Sequence, residues 1–131
     1  KEASGNLQQI MEILRDKPAD FDVLSGDDSI TQPMMALGAK GVISVAANGY
    51  PDMFCKMVKS MMNVDVKTAI DIHYKTLKMN NLIFADGNPA GIKCLMAHQN
   101  LCKNVLRLPL VTVNENVKND LINEFNVMYN K

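Results

Sequence analysis

The 131 residues carry 14 Lys plus Arg against 14 Asp plus Glu, and 47% of them are apolar. That length and apolar share suit one domain with a real core and exclude a disordered chain. The balanced charge gives no electrostatic case for nucleic acid or an anionic membrane surface, and no apolar run approaches the about 20 residues that span a bilayer.

Three cysteines, Cys55, Cys94 and Cys102, lack CxxC spacing, which points to free thiols and a reducing cytoplasm. No basic stretch followed by an apolar core opens the chain, so no signal peptide is expected. Ten methionines and no tryptophan suit an adaptable core rather than an aromatic platform for stacking bases.

Taken in order, residues 1–5 read as the loop that follows a strand, with the strand itself missing. Asn6 can cap a helix and Gln9 completes a capping-box pattern. Leu7, Ile10, Met11 and Leu14 then share one face, and Pro18 is a stop, which predicts a helix over Leu7–Asp16. Residues 21–25 read as a short strand. Ser29 is an N-cap candidate, with Ile30, Met34 and Leu37 as the apolar face and Gly38 as the end. Residues 42–45 read as a second strand. Strand, helix and strand make a right-handed βαβ unit, and polar, glycine-containing loops after both strands place a site at their carboxyl ends.

Beyond this unit the pattern turns helical. Pro51 starts a helix whose stripe of Met53, Phe54, Met57, Val58, Met61 and Met62 reads as core or subunit contact in preference to a peptide groove. Asn63 breaks it. A long helix follows from residue 66 to about 83, with His73 on its apolar face. Asn88 is expected to cap the next helix, with Pro89 at its first position and an end near residue 98. Residues 106–110 are an extended connector, and Asn114 caps a last helix. The predicted division is residues 1–62, an α/β part, and residues 63–131, a helical appendage. Two parallel strands are too few for a sheet buried on both faces, so the pattern resembles the end of something larger.

Five segments in order, KEASGNL at 1–7, LSGDD at 24–28, GVISVxxN at 41–48, NPxxxK at 88–93 and LRLPL at 106–110, resemble the dihydrodipicolinate synthase family. The resemblance covers essentially the whole chain. The GVISV and LRLPL segments favour this family over relatives such as N-acetylneuraminate lyase. It implies an α/β fold: the C-terminal part of a (β/α)8 barrel, with residues 21–25 and 42–45 as strands seven and eight, plus a C-terminal helical domain. It also implies that the chain starts at the end of strand six and that about half the barrel is absent. The proton-relay tyrosine, the paired threonines, the arginine that meets the second substrate and the lysine feedback site would then lie outside it.

The family's Schiff-base lysine falls on Lys1, whose amine would attack the keto group of pyruvate. The enamine formed from that adduct would add to L-aspartate 4-semialdehyde. A neutral amine is needed, so such a lysine must titrate below its ordinary value of about 10.4. Gly26 matches the glycine whose backbone lies against pyruvate, and Ile43 the residue that packs on it. Without the resemblance, Lys1 is an exposed terminal lysine, Gly26 a turn glycine and Ile43 a core residue. Asp27 and Asp28 could form a paired acid/base site, but service to the loop and the following helix N-terminus is the simpler reading. Cys94, His98 and Cys102 have an i, i+4, i+8 spacing, yet the helix is expected to end before Cys102 and no fourth ligand is near, so no metal is assigned.

The resemblance implies no cofactor, a homotetramer completed by the N-terminal half of the barrel, a cytoplasmic setting, and no nucleic-acid or membrane partner. Half a barrel is expected to be inactive alone. Another pyruvate-dependent lyase of the N-acetylneuraminate type, or a non-enzymatic helical interaction module, are the alternatives. Ser4, Ala46-Ala47 and Asp86-Gly87 depart from the commoner family residues and loosen the assignment of the second substrate.

Overall fold

The computed structural model describes residues 1–130. Helix α1 spans Leu7–Asp16, matching the predicted bounds. The Asn6 side chain accepts the amides of Gln8 and Gln9 at 3.1 and 3.2 Å, and this closes the first turn. Helix α2 is short, Thr31–Ala36, and is entered through a 3-10 turn at Asp28–Ile30. Ser29 does not cap α2, whose cap position is Ile30 with no side-chain bond; Asp27 caps the 3-10 turn, its carboxylate accepting the Ser29 amide at 2.9 Å. Helices α3 (Pro51–Met62), α4 (Val66–Leu82), α5 (Ala90–His98) and α6 (Glu115–Tyr129) follow. Helix α5 starts at Ala90 with Pro89 in the cap position, so the expected Asn88 cap is not formed.

The two expected strands, residues 21–25 and 42–45, do not appear as extended strands among the described residues. What the structure holds is two isolated parallel bridges, Glu2 with Ser25 and Ser25 with Val42. Ser25 therefore sits between two neighbours. Glu2 donates its amide to Leu24 O at 2.8 Å and Gly26 donates to Glu2 O at 2.7 Å. Ser25 donates to Gly41 O and Ile43 donates to Ser25 O, both at 2.8 Å. The opening residues are thus not merely a loop, because Glu2 is itself paired. Lys40 also donates to Val23 O at 2.9 Å, so the central and last segments share three successive bonds before the chain turns away, still too short a run for an extended ladder.

Helices α1 and α2 connect these three parallel segments, and the core beneath them is small: Ile10, Met34 and Ala39. A much larger core joins α3 to α6 through Tyr50, Phe54, Met57, Met79, Leu95 and Leu121. Phe54 and Met57 of the methionine stripe are buried, and each contributes about 1.5–3 kcal/mol by leaving water. Met62, at the helix end, is 65% exposed. Among the described residues no helix is long and apolar enough to cross a membrane.

Candidate active site

The parallel bridges align the ends of the three segments, and this brings Lys1 to Gly26. A Cβ added at Gly26 would lie 2.5 Å from Lys1 Cε, 2.9 Å from Lys1 Cγ and 2.8 Å from the Ala3 methyl. The lysine side chain therefore runs directly over the glycine backbone, an approach that only a residue without Cβ permits. Lys1 itself is exposed. Beside it, Glu2 accepts the Ser4 amide at 2.6 Å, and hydrogen bonds from Ser4 hold its carboxyl below the usual carboxylate range.

Ile43 sits on the other side of Ser25, to which its amide is bonded. Its side chain is 53% exposed. It is in the same row of segments as Lys1 and Gly26, but it does not line the cavity that Gly26 lines. That cavity, about 450 Å³, is walled by Ala3, Gly26 and Asp27 on one side and, on the other, by Asn80 of α4 and by Phe84 in the turn that follows this helix. Lys1 borders it through Gly26 and Ala3, and lines instead a smaller space of about 230 Å³ with Glu2, Phe21 and Val23.

The two aspartates divide their work. Asp27 caps the 3-10 turn, and its carbonyl accepts the hydroxyls of Ser25 at 2.9 Å and Thr31 at 2.8 Å. Asp28 is 2% exposed and its Oδ2 accepts the amides of Val45 at 3.0 Å and Ala46 at 2.9 Å. The loop that follows Gly26 is thereby fastened to the loop that follows Ile43. Sequence reasoning assigned both acids to local service, and it missed this longer reach.

It also missed Tyr50 and Asn80. Both are fully or almost fully buried, and the Tyr50 hydroxyl donates to Asn80 Oδ1 at 2.6 Å. Burial above all, then the Asp28 charge, pushes the Tyr50 hydroxyl well above its ordinary range, so it stays protonated as a donor. The only sequence signal was an aromatic residue one position before a helix start.

The remaining candidates lie apart from this site. Cys94 is buried in the large core, His98 packs edge-on to Phe125 at 5.9 Å, and Cys102 falls beyond the end of α5. His73 is 9% exposed, and burial lowers its pKa.

The family model described as the dihydrodipicolinate synthetase family matches residues 1–126. A 4-hydroxy-tetrahydrodipicolinate synthase of Phocaeicola vulgatus is 50% identical over 111 residues, which is 85% of this chain and 37% of that protein. The solved dihydrodipicolinate synthase of Aquifex aeolicus superposes with a TM-score of 0.92 at 38% identity, covering 99% of this chain and 44% of that one. The Acinetobacter baumannii dihydrodipicolinate synthase, solved with pyruvate, superposes at 0.93 with 27% identity, over 98% of this chain and 44% of its own. The chain thus spans about two fifths of the length of the relatives it matches. With a family match over nearly its full length and a solved relative's fold along 99% of it, this chain belongs to the dihydrodipicolinate synthetase family.

Proposed function

We propose that this chain is the catalytic C-terminal portion of a 4-hydroxy-tetrahydrodipicolinate synthase, with Lys1 as the Schiff-base residue. The observation that carries the proposal is the packing of Lys1 across Gly26 at the aligned ends of three parallel segments. The solved relative that holds pyruvate supports the choice of first substrate. In this reading the three segments are the last part of a (β/α)8 barrel wall, and α4 to α6 form a helical appendage beyond residue 62. An N-terminal portion completes the barrel, the assembly is a homotetramer, and free thiols at Cys55, Cys94 and Cys102 fit a reducing cytoplasm.

The chemistry follows from an amine at Lys1 Nζ. Attack on the pyruvate keto carbon and loss of water gives an imine. A proton leaves the methyl group, and the resulting enamine carbon bonds to the aldehyde carbon of L-aspartate 4-semialdehyde. The aldehyde oxygen takes up a proton to become a hydroxyl, water adds to the imine carbon and releases Nζ as the amine, and the product's own amine then condenses with the regenerated keto carbon, closing the ring with loss of water. Gly26 presents bare backbone where the pyruvate carbons must pass, and Ile43 supplies an apolar side chain on the next segment.

The test is reductive trapping. This chain, assembled with the N-terminal portion its relatives carry, is mixed with pyruvate and borohydride, and the peptides are fragmented. A carboxyethyl group on Lys1 Nζ is expected. A label on any other nitrogen, the Lys1 backbone nitrogen included, or no label, overturns the assignment.

A further inference from the structure

The cavity beside Gly26 has one wall that the chemistry above does not use. Asn80 stands on α4, is 1% exposed, and lines that cavity with Gly26 and Asp27. Its carboxamide is oriented, because the Tyr50 hydroxyl donates to Oδ1 at 2.6 Å. The other end, Nδ2, is buried with no hydrogen-bond partner. A buried donor left unpaired is costly, so such groups are uncommon and mark either an unseen partner or a ligand. The residue that carries this donor lines a space of about 450 Å³, and Gly26, which lies against Lys1, lines the same space.

We infer that Asn80 is a substrate-binding residue, whose Nδ2–H donates to an oxygen of the aldehyde substrate held in the cavity over Gly26. The inference rests on the Schiff-base reading of Lys1 and extends it to the second substrate. Pyruvate, once bonded to Lys1 Nζ, occupies the lysine side of the glycine. The second substrate must then approach from the open side, where α4 stands. Tyr50 acts as the positioning residue: it holds Oδ1 and so turns Nδ2 away from itself. A competing partner for Nδ2 is Asp28 Oδ1, also buried and unpartnered, whose charge reaches Tyr50. In that arrangement Asn80 would matter for folding alone.

Kinetics on the assembled protein separate these cases. Asn80→Ala removes the donor, and Asn80→Asp keeps the shape and the bond from Tyr50 while replacing the donor with an acceptor. Both variants are expected to raise KM for L-aspartate 4-semialdehyde by about ten-fold, with KM for pyruvate and borohydride trapping at Lys1 within two-fold of the original. Aldehyde KM unchanged, or both KM values rising together, overturns the inference while leaving the Lys1 assignment standing. Failure of the unaltered protein to trap pyruvate at Lys1 overturns both. Should the variants fail to fold, the Asn80 side-chain amide resonances of the unaltered protein are followed as succinate semialdehyde is added with pyruvate. Movement supports the contact, and fixed resonances overturn it.

Discussion

The Asp28 carboxylate accepts the Ala46 amide at 2.9 Å across eighteen positions of sequence, and through it the two loops at the ends of the central and last parallel segments move as one. The same oxygen takes the Val45 amide at 3.0 Å. Replacing Asp28 with alanine leaves two backbone donors without their acceptor and one of them, at Ala46, fully buried. The expected cost is about 2–4 kcal/mol, read as a lower urea midpoint at unchanged slope. A loss below about 0.5 kcal/mol would mean that the carboxylate is not the fastening.

Gly26→Ala places a methyl group against Lys1 Cε and the Ala3 side chain. The lysine is long and can swing aside, but the Ala3 methyl at 2.8 Å yields only by a small backbone shift, so folding should lose about 1 kcal/mol. Its reach toward pyruvate should suffer more. Trapping by borohydride in the assembled protein is expected to slow by at least about ten-fold, while the melting temperature falls by only a few degrees. Equal trapping rates in the two proteins would detach Gly26 from the site.

Gly91 lies on α5 where that helix crosses the end of α4. A Cβ there would fall onto the backbone carbonyl of Ile83, which has no side-chain freedom to yield. Gly91→Ala should therefore destabilise the protein by about 2 kcal/mol or more, despite the better helix propensity of alanine. Thermal denaturation followed by circular dichroism measures it, and a more stable variant would contradict the packing.

His73 is buried on α4, and burial lowers its pKa below the ordinary value of 6.5. The unfolded chain then binds a proton more readily than the folded one. Stability is full above the unfolded value and is lost as pH falls below about 6.5. Urea midpoints at pH 7.5 and 5.5 should drop more for the original protein than for His73→Leu. Identical drops would show that the histidine is already free to charge.

Local signals carried the helices well. Asn6 and Pro18 bracket α1 and Asn114 opens α6 because caps and stops act within a turn. The start of α5 was misread because the preceding turn is held by a distant contact: Asp86 accepts both amides of Asn114 at 2.8 Å. Residues 21–25 and 42–45 have strand-like composition, yet hydrogen-bond partners, not composition, make a ladder, and here they extend to single bridges. Lys1, Gly26 and Ile43 were named only through resemblance, since a lone lysine, glycine or isoleucine has no chemical signature of its own. The long-range contacts of Asp28 and Asn80 escaped notice because their partners lie 17 to 30 positions away. Nothing in a linear pattern marks such pairs.

The two cores are of very unequal size, with three buried residues beneath α1 and α2 and fifteen beneath α3 to α6. Backbone opening should follow that inequality. Amide protons of α1 and α2 are expected to exchange with deuterium at least about ten-fold faster than those of α4 and α6. Uniform exchange across the helices would refute this. The lysine and its glycine thus stand on the part of the chain that breathes first, and whatever occupies the space around them gains stability for its host by closing it.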